Sequence, residues 1–177
     1  RQMQEYVKQL NAFYLEYKQL WENDVDWRGF EWISHDDNVN NIIAFRRIAK
    51  DGSDLICIVN FAPVYHESYK IGVPYAGTYE EVFSSDRIEF GGSGVSNGKK
   101  RSKAEEMHGM EQVIDLKIPP LSVLYFKGKK RAPRRVKATQ AAEEKPVKKT
   151  DKTKKAAARK TTRKTPVRKA QPDSKSE

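Results

Sequence analysis

Between Asn41 and Gly128 the apolar residues fall into six short runs, none longer than a single strand, with a turn signal between partners. "NIIAFRRIA" and "DLICIVNFA" flank "KDGS", where Gly52 supplies a hairpin turn. "ESYKIGV" and "TYEEVFS" flank "PYAG", and "EQVIDLKI" and "LSVLYFKG" flank Pro119-Pro120. Proline has no N–H to give a sheet ladder, so that last junction is a corner. The runs are rich in β-branched and aromatic residues with period two, the pattern of a pleated surface with one buried face. Short strands at this spacing predict a mainly β domain, built as an antiparallel β-sandwich or barrel.

Ahead of the runs the period is different. Met3, Val7, Leu10, Phe13/Tyr14, Tyr17 and Leu20/Trp21 recur every three to four residues with no Pro or Gly among them. This predicts an N-terminal amphipathic helix of about five turns, ending near "ENDVDWRG". So wide an aromatic stripe needs a large surface to cover it. The helix-poor remainder suggests that its partner lies outside the chain.

Beyond Phe126 large apolar residues almost vanish and charge takes over. Residues 127–177 hold 20 Lys+Arg against 5 Asp+Glu, a net of +15, whereas 1–126 hold 14 against 19, a net of −5. An acidic body thus carries a basic tail, predicted to be disordered because it cannot bury enough apolar surface to offset its ordering entropy. A tail of this charge is a candidate for non-specific contact with polyanions. Cys57, the single cysteine, sits inside "LICIV" and is expected as a buried free thiol, which fits a reducing compartment. No apolar run approaches a membrane span, and the first residues lack the apolar centre of a signal peptide.

Several motifs invite a chemical reading. "IEFGGSGVSNGKK" fails as a dinucleotide fingerprint because Asn97 stands where the third glycine belongs, and as a P-loop because Ser93 and Lys100 occupy required Gly and Ser/Thr positions. "GVSNG" satisfies G-x-S-x-G with Ser96 as nucleophile, but no apolar strand leads in and no helix leads out. His108, Glu105 and Glu106 also lie too near in sequence to act as partners from separate loops. A flexible glycine loop is the better interpretation. In "SHDDN", the adjacent Asp36 and Asp37 are poorly placed to face each other across a sugar ring, so a turn before a strand is expected. His35, His66 and His108 lack metal-ligand spacing. Trp21, Trp27 and Trp32 are either core residues or a sugar-stacking platform, core being the commoner use.

Taken together, "GFEWISHDDNVNNIIAFRR", "CIVNFAPVYHESYKIGVP", "GTYEEVFSSD", "EFGGSGVSNG" and "IPPLSVLYF" closely resemble the C-terminal part of bacterial glycogen branching enzymes, in the α-amylase superfamily. The resemblance covers about residues 5–127 with its motifs in order. It implies three segments. Residues 1–25 would be the terminal helix of a missing (β/α)8 catalytic barrel, 26–127 the α-amylase-type C-terminal β-sandwich, and 128–177 a disordered tail outside the shared region. The Gly91–Gly94 loop would be the family's glycine turn.

The resemblance further implies an enzyme that cuts an α-1,4-glucan, holds it as a glycosyl-enzyme and transfers it to a 6-hydroxyl in glycogen synthesis. Its aspartate nucleophile, glutamate acid/base and second aspartate would lie on the barrel, upstream of Arg1. This chain would therefore carry no catalytic, cofactor or metal residue and would be inactive alone. The implied partners are the missing barrel and, through the parent enzyme, an α-glucan such as glycogen; the implied location is cytoplasmic. Trp27 and Trp32 are the residues assigned to a peripheral glucan contact. Two other identities stay open: a stand-alone glucan-binding β-sandwich, and a nucleic-acid-associated protein acting through its basic tail.

Overall fold

A computed structural model describes residues 1–131, and the greater part of the basic tail lies outside them. Among these described residues one α-helix, α1 (Gln2–Glu16), is followed by nine strands. These are β1 (Phe30–Asp37), β2 (Ile42–Ile48), β3 (Asp54–Asn60), β4 (His66–Val73), β5 (Gly77–Ser84), β6 (Lys99–Arg101), β7 (Lys103–Met107), β8 (Met110–Ile118) and β9 (Ser122–Lys130). They form a six-stranded sheet in the order β1-β2-β3-β9-β5-β6 and a three-stranded sheet, β4-β8-β7. Every pairing is antiparallel. The mainly β antiparallel sandwich predicted from the six runs is the fold observed.

Alternation decides which residues fill the space between the sheets. Ile56 and Ile58 of β3 and Leu124 and Phe126 of β9 point inward to meet Ile71 and Val73 of β4 and Ile114, Leu116 and Ile118 of β8. Each such apolar side chain, fully withdrawn from water, contributes about 1.5–3 kcal/mol. Tyr79 of β5 is also fully buried, and its hydroxyl is satisfied there by donating to the carbonyl of Tyr75 at 2.8 Å.

The chain crosses between sheets at its proline signals. "PYAG" joins β4 to β5 in different sheets rather than closing a hairpin, and Pro119-Pro120 takes the chain from β8 to β9. Asn60, at the end of β3, ties that second corner: its amide donates to the carbonyls of Val64 and Pro119, both at 2.8 Å. Its carbonyl oxygen accepts from the Ala62 N–H at 2.9 Å.

Three strands escape the period-two reading. β1 contains the "SHDD" expected as a turn, and the turn comes only at Asn38–Asn41. Two register shifts, between Trp32 and Ser34 and between Ser34 and Asp37, break the alternation that would have marked it. β6 and β7 are short edge strands of charged, mostly exposed residues, which is how edges avoid pairing with other chains. At the other end, β9 continues through Lys130, with Gly128, Lys129 and Lys130 paired to Tyr79, Thr78 and Gly77. The ordered strand therefore runs three residues past the expected boundary at Lys127.

The helix also departs from expectation. It ends at Glu16, because Tyr17 leaves helical geometry (φ −98°, ψ 89°) and a short 3-10 turn follows. Contacts to the β2–β3 hairpin outweigh helix propensity here: Lys18 pairs with Asp51 at 2.8 Å, and the Gln19 amide donates to Ser53 at 2.8 Å. The stripe does find a partner inside the chain. Tyr6, Leu10, Phe13 and Tyr17 pack on Leu55, Phe83 and Tyr125, on the face of the large sheet turned away from the sandwich core. Phe13 lies 4.9 Å from both the Phe83 and Tyr125 rings. A second ridge, Met3, Val7 and Tyr14, stays exposed, as does Leu15 on another side of the helix.

Candidate functional site

The two tryptophans assigned to a glucan contact are both at the surface, in different settings. Trp27 opens a 3-10 turn ahead of β1 and is 84% exposed, with no aromatic neighbour among the described residues. Trp32 lies on the outer face of β1, 47% exposed, and belongs to a cluster. Its ring meets Phe30 edge-on at 4.9 Å and Phe45 edge-on at 5.9 Å, while Phe30 and Phe45 stack at 5.2 Å. His35 closes the cluster, 5.8 Å from Trp32. Register makes this surface: Phe30 and Trp32 stand opposite Arg47 and Phe45 on neighbouring strands. Such a face offers apolar area for a sugar ring with a tryptophan edge for orientation. Sequence reasoning found Trp32 but missed Phe30 and Phe45, since only the strand pairing brings them together.

The polar groups of the tempting motifs are committed elsewhere. Asp37 accepts hydrogen bonds from Tyr69 at 2.6 Å and from the Asn40 side chain and backbone, fastening the β1–β2 turn to β4. Burial would raise its pKa, but those hydrogen bonds outweigh burial and hold the carboxyl below its ordinary value. Burial, with the same contact adding to it, pushes the Tyr69 phenol up. Asp36 points into solvent beside His35, so the two carboxylates do not converge. His108 lies in the β7–β8 turn, where its Nδ1 accepts the Gly72 N–H at 3.2 Å, and burial pushes its pKa down. Among the described residues, no three His, Cys, Asp or Glu side chains are placed to hold a metal ion.

The glycine loop is folded around an internal anion. Asp86, almost fully buried, accepts from the Ser93 N–H at 2.9 Å, the Ser93 hydroxyl at 2.6 Å and the Val95 N–H at 3.1 Å. Backbone donors that would otherwise cradle a phosphate already hold this carboxylate. Gly92 is required by closeness, since a Cβ there would fall 2.3 Å from Asp86 backbone atoms; Gly91 is required by its φ of +93°. Asn97 then staples the loop to two strands. Its amide donates to Glu81 and to the Lys117 carbonyl, each at 2.9 Å, and its oxygen accepts the Lys117 N–H at 2.8 Å. Ser96 donates to Glu81 on the surface, with no histidine base beside it. The loop is a brace, and its serine is not activated.

A feature the sequence did not single out lies at the other edge of the large sheet. Two shallow clefts of about 540 and 600 Å³ flank β5 and share Thr78 and Lys129 in their walls. Basic side chains line both, including Lys99, Arg101, Lys127, Lys130 and Arg131. The expected polyanion contact through the tail concerns residues mostly outside the described ones. Among the described residues, no helix is long and apolar enough to cross a membrane.

Comparison with known proteins adds to this geometry. The family described as "Alpha amylase, C-terminal all-beta domain" matches residues 32–129. The chain is 46% identical over 129 residues to the 1,4-alpha-glucan branching enzyme GlgB of Prochlorococcus marinus (strain NATL1A), a match spanning 72% of this chain and 17% of that protein. It is 46% identical over 123 residues to the enzyme of the same name from Synechococcus sp. (strain CC9311), spanning 68% and 16%. With that of Halothermothrix orenii (strain H 168) it is 45% identical over 129 residues, spanning 72% and 20%. The chain thus covers about a sixth to a fifth of the length of the curated relatives it matches.

Proposed function

Starting from the fact that the chain belongs to the α-amylase C-terminal all-β domain family and is homologous to the C-terminal domain of 1,4-α-glucan branching enzymes, we propose that it is the supporting β-domain of such an enzyme. The parent cuts an α-1,4-glucan chain, keeps it as a glycosyl-enzyme and passes it to a 6-hydroxyl, creating an α-1,6 branch in glycogen. That chemistry needs carboxylates facing each other across the scissile bond, about 5–5.5 Å apart in a retaining enzyme. Asp37 is tied to Asn40 and Tyr69 while Asp36 faces solvent. In this proposal the catalytic carboxylates belong to a barrel outside residues 1–131, and the chain alone is inactive. The assembled enzyme works in the cytoplasm.

The observation that carries the proposal is 46% identity across 129 residues, together with the family match over residues 32–129. The structure lends it support in how α1 is built. One ridge of the helix grips the large sheet while Met3, Val7 and Tyr14 stay exposed beside it, leaving an apolar face for a barrel to cover. The proposed role is mechanical: a rigid sandwich, with its glycine loop braced by Asp86 and Asn97, holds the barrel from one side. Trp27 and Trp32 are proposed as a peripheral contact for the glucan.

A graft tests this proposal. Residues 5–127 replace the matching region of one of the branching enzymes named above, and new α-1,6 links on amylose are counted after debranching, with iodine staining alongside. The graft is expected to branch amylose and the chain alone to leave it unbranched. A folded but inactive graft, or reproducible branching by the chain alone, would overturn the proposal.

A further inference from the structure

Strand register at the β6–β5–β9 edge of the large sheet sets two rows of three residues side by side. One row is Lys99–Glu80–Lys127, and the next is Arg101–Thr78–Lys129. Glu80 and Thr78 are two residues apart, so both rows share one face, opposite the buried Tyr79. The rows lie about 7 Å apart along the strands, and the outer residues of each row are separated by two strand spacings, about 9.5 Å.

The two rows handle charge differently. In the first, the central carboxylate meets one flanking cation directly, with Lys99 Nζ 3.3 Å from Glu80, and the other cation rests over the Tyr17 ring at 5.2 Å. In the second, the centre is a hydroxyl. Among the described residues, neither Arg101 nor Lys129 has a carboxylate within ion-pair distance. The 540 Å³ cleft beside this row is lined by Arg101, Lys129, Lys130, Arg131 and neutral residues, with no acidic side chain in its wall. The second row therefore repeats the first with its central anion left out.

We propose that this row is a binding site for a phosphate group, which takes over Thr78 the place that the Glu80 carboxylate fills next door. The floor is fixed before binding because Arg101, Thr78 and Lys129 are held by ladder hydrogen bonds on three adjacent strands. Long side chains from the two outer strands reach inward over the threonine, where the arginine can present paired donors and the lysine a point charge. The Thr78 hydroxyl adds a donor at the centre. Free inorganic phosphate and a phosphoryl group carried on a sugar share this chemistry. The proposal does not depend on the branching-enzyme reading, and its test involves no branching assay.

The test is residue-resolved NMR on the full chain at fixed ionic strength, titrating inorganic phosphate, glucose 6-phosphate and neutral maltoheptaose. Reading individual amides separates this row from cations elsewhere in the chain. Saturable shifts are expected at Thr78, Arg101 and Lys129. Apparent affinity should fall by about tenfold or more in Arg101→Gln/Lys129→Gln. It should fall likewise in Thr78→Glu, which keeps both cations but supplies the missing carboxylate. Lys8→Gln/Lys50→Gln, which removes two charges away from this row, should bind like the parent. Tighter binding of glucose 6-phosphate points to a sugar-borne group, and equal binding to free phosphate; both support the site. Non-saturating shifts, unchanged binding in Thr78→Glu, or shifts at these residues from maltoheptaose alone overturn it.

Discussion

Tyr79 and Phe83 sit four residues apart on the same strand yet face opposite sides of the large sheet. Tyr79 lies in the core between the sheets, and Phe83 lies under α1. Strict alternation would put them on one face. Between them β5 advances two residues, Glu81 to Phe83, while β9 advances one, Phe126 to Tyr125. The extra residue, Val82, is a bulge that lets one strand serve two cores. Deleting Val82 is expected to misface one of the two aromatics and destabilise the fold by more than Phe83→Ala, itself about 3–5 kcal/mol. Urea unfolding of the two variants checks this; equal losses would mean that the bulge does not set the facing.

Cys57 lies on the helix-side face of β3, opposite Tyr125 and Phe45 on the neighbouring strands. Burial pushes its thiol up to about 12, and a hydrogen bond with Tyr125 pulls the other way without cancelling that rise. At pH 8 roughly one thiol in ten thousand is ionised, against about a quarter for an ordinary cysteine. Native labelling by a thiol reagent should be slower than in denaturant by a thousandfold or more, on the order of that ratio. Labelling at comparable rates in the two conditions would show that α1 does not stay on the sheet.

Asp86 holds the glycine loop through three donors from Ser93 and Val95. Asp86→Ala leaves those donors without their acceptor, and a loss of about 3 kcal/mol is expected. The loop should loosen with it, visible as faster amide exchange at Ser93 and Val95. Ser96→Ala, by contrast, removes two long, exposed hydrogen bonds, one given to Glu81 and one accepted from the Gly98 N–H, and should stay within about 0.5 kcal/mol of the parent.

Trp27 and Trp32 separate stacking on glucan from stacking within the protein. Trp27 has no ring beside it, so Trp27→Ala should change stability by less than about 0.5 kcal/mol. Trp32→Ala breaks two edge-on contacts and should cost about 1 kcal/mol. Both variants should migrate less retarded than the parent in native gels containing glycogen. Unchanged retardation in both would remove the peripheral contact from the proposal.

What was legible in the sequence follows from how local each signal is. The six apolar runs around "KDGS", "PYAG" and Pro119-Pro120 carry their own period and punctuation, so the strands that build the core could be read directly. β1 was hidden because its bulges scramble the alternation around Ile33 and Ser34, and β6 and β7 because edge strands of charged residues carry no apolar period. The helix stripe was visible, but its split into a ridge on the sheet and a ridge in solvent depends on where Phe83 and Tyr125 land in space. Register likewise made the cluster of Phe30, Trp32 and Phe45 and the row of Arg101, Thr78 and Lys129. In each case the residues come from more than one strand, and it is the pairing of those strands, absent from any local pattern, that brings them together.

Asp37 gives a pH-dependent test of the turn it fastens. Its folded pKa is depressed: burial works against the charged form, and the hydrogen bonds from Tyr69 and Asn40 more than offset it. A depressed carboxyl contributes stability that is present above its unfolded pKa of about 3.9 and is lost as pH falls through the folded value. Asp37→Asn should therefore be less stable than the parent at pH 7, by about 1–2 kcal/mol for the loss of charge-assisted hydrogen bonds. The gap should narrow as pH drops below about 4, because the parent then protonates the same group. Tyr69→Phe should show the same narrowing, since its hydroxyl matters most when it donates to a carboxylate. In the double variant the two effects should fall short of additive, because both remove one 2.6 Å contact. Urea unfolding of the four proteins at pH 7 and pH 3.5 makes the comparison. A gap that stays constant with pH would mean that the turn is held by its backbone and packing, with the Asp37 charge contributing nothing.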